Sequence, residues 1–134
     1  MDNMDNMDYE TRVEFVAKMI EESEPFTGEE QKKIFDLAKS MWEYDCFHEN
    51  GIVIDKCYDK EVFEYDISTA GWSDNETIID ALMSNFWIRS LCWFQSNRGG
   101  RYIFYRKLTQ EEMNSRTEAE KDFDQLPFQS PNNV

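Results

Sequence analysis

Between Phe86 and Lys107 the chain reads FWIRSLCWFQSNRGGRYIFYRK, and in an extended arrangement apolar side chains fall on both of its faces. As a hairpin about the SNRGG stretch, it places Trp87, Leu91 and Trp93 on one side and Ile88, Cys92 and Phe94 on the other. A ribbon that is apolar on both sides belongs in the middle of a sheet, or keeps one face for a partner. Gly99 and Gly100 supply the positive φ that a hairpin loop of about three to five residues requires. The charge of this stretch is as unusual as its rings. Residues 81–107 hold five cations (Arg89, Arg98, Arg101, Arg106 and Lys107) and no acid, whereas residues 1–80 hold 22 acids against 7 bases, and the whole chain carries −14.

The elements around this ribbon follow from spacing. Tyr9, Val13, Val16 and Ile20 recur on one helical face with Met19 beside them, predicting a helix from about Asp8 to Glu22 that Pro25 ends. Thr27-Gly-Glu-Glu30 has the form of a capping box and opens a second helix reaching about Tyr44, with Ile34, Leu37, Ala38, Met41 and Trp42 turned inward. The short connection predicts an antiparallel helix pair. Asn50-Gly51 reads as a turn, followed by a hairpin of IVIDKCY and VFEYDIS bent near Asp59-Lys60. In its second strand Phe63, Tyr65 and Ile67 share one side, and Glu64 and Asp66 share the other.

Ser73-Asp-Asn-Glu76 reads as a second capping box, ahead of a helix over 74–84, with Trp72 placed to pack back on Thr77 or Ile78. A last helix is predicted from Thr109 through about Phe123. The expected organisation is a flexible acidic start (1–8), a single domain (9–123) and an irregular tail (124–134). The expected fold class is α+β: a mainly antiparallel four-stranded sheet of two hairpins, an N-terminal helix pair, and a helix between the hairpins.

Several chemistries find no support. The sequence has no run of about 18 apolar residues, so neither a membrane span nor a membrane partner is expected. The opening MDNMDNMDYE lacks the basic-then-apolar order of a secretory signal. Cys46, Cys57 and Cys92 are odd in number and irregular in spacing, which points to reduced thiols in a cytoplasmic setting. His48 is the only histidine, and with Cys46 it leaves a zinc site two ligands short, so no metal or cofactor is expected. There is no nucleophile elbow, P-loop or HExxH motif. Packing accounts for the Cys46/His48 pair, and the wet side of a strand accounts for Glu64 and Asp66. The expectation is a protein without enzymatic activity and without catalytic residues.

Charge points instead to binding. Acids three or four residues apart on a helix lie about 5–6 Å from one another, close to a phosphate step, so an acidic helix pair can imitate a polyanion and steer toward a basic surface. Glu21, Glu22, Glu29 and Glu30 gather at the junction of the first two helices, and Trp42, Trp72 and Trp93 are the candidate aromatic anchors. The alternative is a nucleic-acid or nucleotide site on the hairpin 86–107, using Arg98, Arg101, Tyr102 and Phe104. RGGRYIFY partly resembles the sheet motif of RNA-recognition domains, but Gly100 stands where the stacking ring belongs and Arg101 where a small residue belongs. The net charge disfavours a polyanion. A homo-oligomer joined through the apolar hairpin faces is a third reading.

The block Gly71-Trp72-Ser73-x-Asn75-Glu76, then Phe86-Trp87, Trp93 and Arg98-Gly99-Gly100-x-Tyr102-x-Phe104, is similar to a pattern in small uncharacterised proteins of bacteriophages and prophages. Asp74 departs from it where a small residue is expected. The resemblance implies a phage or mobile-element origin and a role in the host cytoplasm. It also implies that the partner is a host protein with a basic surface, such as a nucleic-acid-handling defence enzyme that a nucleic-acid mimic blocks.

Overall fold

The structure, a computed structural model, describes residues 8–115. The Met-Asp-Asn repeat, the continuation of the last helix to Phe123 and the tail 124–134 lie outside the described residues. Asp8 does not belong to a flexible start. It is the N-cap of α1 (Tyr9–Glu22): its Oδ1 accepts from Thr11 N at 2.8 Å, and that bond holds its carboxyl below the usual range.

α2 (Gly28–Ser40) begins with the capping box read from sequence. Thr27 Oγ1 accepts from Glu30 N, and Glu30 Oε1 accepts from Thr27 N. The helix stops at Ser40, short of Tyr44. Gly28 is required for space, since a Cβ there would sit 2.1 Å from Leu108 O, where the helix start is pressed onto the exit of the last strand. α1 touches α2 but lies more extensively against α3 (Ser73–Ser84).

β1 (Phe47–Ile54) and β2 (Glu61–Ser68) form the first hairpin, and β3 (Trp93–Asn97) and β4 (Arg101–Arg106) the second. All pairs are antiparallel, in the order β1-β2-β4-β3, so the fold is α+β with a four-stranded sheet. Two expectations are corrected here. Asn50-Gly51 is not a turn ahead of the hairpin but a bulge inside β1, where Gly51 takes φ 93°. The segment from Phe86 to Leu91 is not strand but a short helix, α4 (Phe86–Leu91). Asn85 decides that outcome, because its Oδ1 accepts from Trp87 N and Ile88 N and caps a new helix where the strand pattern predicted extended backbone.

The core lies between the helices and one sheet face. Val13, Val16 and Ile20 of α1, Ile34, Phe35 and Ala38 of α2, Ile78 and Leu82 of α3, and Ile88 meet Phe47, Tyr65, Ile67 and Phe104 of the sheet. Phe35 stacks on Tyr65 with centroids 4.3 Å apart. Each such buried side chain contributes about 1.5–3 kcal/mol relative to exposure. The other sheet face holds a smaller cluster of Val62, Ile103 and Tyr105, with Phe94 stacked on Tyr105.

A fifth helix, α5 (110–115), is tied to the rest of the fold by polar bonds. Thr109 and Glu112 form a reciprocal cap, and Glu29 Oε2 accepts from Gln110 N. Arg106, only 1% exposed, spans Glu112 with two 2.9 Å hydrogen bonds, donates to Tyr65 Oη and lies 4.3 Å from the Phe63 ring centroid.

Candidate functional site

The proposed binding sets of the sequence come apart in space. Of the four helix-pair acids, Glu21 and Glu22 are exposed on the last turn of α1. Glu30 is occupied by its cap, where the N–H groups of Thr27 and Phe26 hold its carboxyl below the usual range. Glu29 holds the start of α5. Two of the four are therefore committed to the fold.

The cationic ribbon is also drawn inward. Arg101 forms a two-bond bridge to Asp66, at 2.9 and 2.6 Å, which holds the Asp66 carboxyl low. Arg106 is buried on Glu112. Arg89 donates to Met83 O at the end of α3, and Arg98 is exposed in the hairpin turn. Phe104 is wholly buried and Tyr102 half-buried on the helix side, so Phe104 is a core ring and not a stacking platform for a base. The ring set proposed for nucleic acid thus faces the protein's own core.

The tryptophans divide three ways. Trp42 is half-buried; its Nε1 donates to Ser68 O at 3.2 Å and to Cys46 Sγ, and its ring packs edge-on against Phe47. Trp93 is partly exposed on the edge strand and donates to Ser96 Oγ. Trp72 is 48% exposed and pairs with Tyr44, itself 64% exposed, with ring centroids 4.9 Å apart and planes tilted by 31°.

The backbone around this last pair is unusual. Tyr44 sits at φ 69° and Ala70 at φ 52°, both in the left-handed region that L side chains seldom adopt, and Gly71 follows at φ 76°. Such conformations cost about 1–3 kcal/mol each and persist only when the surroundings hold them. Ser68 Oγ and Thr69 Oγ1 accept from Ala70 N and Gly71 N within the second turn, and Asn75, a wholly buried side chain, bonds to both turns. Its Oδ1 accepts from Glu43 N, and its Nδ2 donates to Glu43 O and to Thr69 O. One amide thereby ties together the two turns that present the rings. The capping box expected at Ser73 to Glu76 does not form. Ser73 is the first helical residue, Trp72 occupies the N-cap without a side-chain bond, and the middle of the supposed box, Asn75, is turned inward.

Carboxylates lie next to the pair along the chain. Glu43 and Asp45 flank Tyr44 in sequence, and Asp74 and Glu76 follow Trp72 in the first turn of α3. Glu43 and Asp74 both reach the field of Tyr9, whose hydroxyl is pushed up to about 12 by burial first and by these two acids after it. Among the described residues the cation–π contacts fall on Phe63, Tyr65 and Phe26, and none falls on Tyr44 or Trp72. Here, then, are two exposed rings with acids next to them along the chain and, among the described residues, no cation–π contact on either.

Sequence reasoning found Trp72 but missed Tyr44 and Asn75. The available signal was an asparagine two residues after a solvent-facing serine, which cannot point outward on the same helical face as that serine. Cys46, Cys57 and Cys92 are free thiols, and burial pushes the Cys92 thiol up to about 12. Among the described residues no group of three His, Cys, Asp or Glu side chains is placed to hold a metal ion, and no helix is long and apolar enough to cross a membrane. Comparison with protein-family models, curated proteins and solved structures finds no match to this chain.

Proposed function

We propose that the protein is a non-enzymatic interaction protein that engages a basic surface of a partner protein through the Tyr44–Trp72 face. The carrying observation is the exposed ring pair, held in strained turns by one buried amide and flanked by Glu43, Asp45, Asp74 and Glu76. Preset rings lose little side-chain freedom on binding, and their burial supplies anchor energy. The surrounding acids, within a chain of −14, speed encounter with a cation and penalise an anion. On the resemblance read from the Gly71–Phe104 block alone, the partner we propose is a host protein, with a nucleic-acid-handling defence enzyme as the class.

The test is association with a fluorescent basic peptide across a salt series. Replacing Asp45, Asp74 and Glu76 together by their amides is expected to weaken binding at low salt by at least about fivefold and to flatten its salt dependence. Neutralising Glu21 and Glu22 is expected to have the smaller effect. Equal loss from both sets reduces the role of this face to general acidity, and no loss from the triple variant removes it.

A further inference from the structure

We infer that the Tyr44–Trp72 face selects arginine over lysine, so that the partner it fits is an arginine-bearing basic segment and not any cationic surface. This deepens the reading above and rests on it. The two rings lie with centroids 4.9 Å apart and planes tilted by 31°, so each has one face turned from its neighbour, and at 64% and 48% exposure both side chains reach solvent. A flat ring face offers most to a flat cation. Guanidinium is planar, delocalised and weakly hydrated, and it lies parallel on an indole while its edge N–H groups remain free. Those edge donors need acceptors in the ring plane or just beyond it. The carboxylates of Asp45 beside Tyr44, and of Asp74 and Glu76 beyond Trp72, lie one to four residues from the rings along the chain. A lysine ammonium keeps its charge compact and its hydration strong, and its attraction to the same acids needs no ring.

The molecule contains its own comparison. Arg106 binds in this manner within the core, with its guanidinium 4.3 Å from the Phe63 ring centroid and its edge nitrogens paired to the Glu112 carboxylate. Tyr65 adds a hydroxyl acceptor to that arrangement, at 2.9 Å from Arg106 Nε. Ring face plus carboxylate is thus a pairing the fold already completes once with an arginine. At Tyr44 and Trp72 exposed rings and neighbouring carboxylates occur together with no cation–π contact among the described residues, and the inferred arginine is the partner's. Asn75 is the positioning residue: it touches no partner, and it fixes the two turns from which the rings project.

Two labelled peptides of equal length and charge decide the matter, one with six arginines spaced by glycine and serine, the other with six lysines in the same places. Affinity is measured by fluorescence anisotropy at low and at moderate salt, with the full chain. The arginine peptide is expected to bind about three- to tenfold more tightly. Trp72→Ala is expected to erase that preference while the weaker, salt-dependent binding of the lysine peptide persists. Trp72→Phe, which keeps a ring, is expected to retain part of the preference, and circular dichroism of each variant separates loss of selectivity from loss of fold. Phe86→Ala, at the start of α4 beyond the far end of α3, is expected to leave both affinities unchanged. Equal binding of the two peptides by the wild type, or a preference that survives Trp72→Ala, overturns the arginine inference and leaves the basic-surface reading standing. If neither peptide binds at low salt, both fall.

Discussion

The two ends of α3 carry exposed aromatic clusters, and they differ in what completes them. At the N-terminal end Tyr44 and Trp72 pair above a buried asparagine, Asn75. At the C-terminal end Phe26, Trp87 and Phe86 meet edge to face, above a second buried asparagine, Asn85. Asn85 donates to Ile20 O and Ser23 O and caps α4, so it joins the end of α1 to the start of a helix. At this second end a cation is already supplied, with Lys107 Nζ 4.0 Å from the Phe26 ring centroid. Ring exposure alone therefore does not identify a recognition surface. Of two similar clusters, one has its cation built in, and the other has exposed rings with carboxylates in the adjoining residues.

The largest expected effects come from the asparagines that organise each end. Asn85→Ala and Asn75→Ala each leave several buried backbone groups without a partner, and a loss of about 2–3 kcal/mol in folding stability is expected by urea titration. The two are expected to part company in binding. Asn75→Ala weakens association with the basic peptide under conditions where the protein remains folded, and Asn85→Ala does not. Equal binding by both variants breaks the distinction between the ends.

Next comes the bridge that holds α5. Glu112→Ala removes one partner of a buried charge, and about 1–3 kcal/mol is expected to be lost, less than for a fully buried pair because 20% of the Glu112 side chain reaches solvent. The associated pH dependence has a defined sign. Arg106, first among the causes, holds the Glu112 carboxyl below its usual range. The stabilisation is therefore complete above the ordinary carboxylate pKa and is lost as pH falls through the lowered folded value. The fall in urea midpoint between neutral pH and about pH 3 is expected to be smaller in Glu112→Gln than in the wild type.

A smaller effect, about 1 kcal/mol, is expected for Thr27→Ala, which removes the N-cap of α2. Peptide affinity is expected to stay the same, because Glu30 serves that cap and not a partner. Least of all in stability, and most telling in contrast, are Trp72→Ala and Phe86→Ala. Both rings are about half exposed. Each substitution is expected to shift folding stability by no more than about 1 kcal/mol, and only Trp72→Ala to change binding.

These contrasts also mark what was legible in the residues. The helix capped by Thr27 followed from local hydrogen-bond chemistry, and the strand over 61–68 followed from side-chain alternation; both signals are contained in a few neighbouring residues. The segment 86–91 was misread because its apolar pattern suits a two-sided strand and a short buried helix alike, and a single capping asparagine chose between them. Charge segregation was visible in composition, but its meaning depended on contacts across the sheet. Arg101 meets Asp66 over 35 residues and Arg106 meets Tyr65 over 41, so no local pattern announces that these cations are spent internally. Tyr44 escaped notice for the related reason that its ring partner lies beyond an entire hairpin.

Recognition is proposed to occur at the acid-flanked end of α3. Backbone and indole chemical shifts recorded while unlabelled arginine peptide is added to isotope-labelled protein address it directly. The Trp72 indole signal and the amides of 43–46 and 69–76 are expected to move together in a saturable manner, while those around Phe26, Phe86 and Trp87 stay in place. Shifts centred on the Phe26–Trp87 end, or spread evenly over the acidic surface, would contradict it.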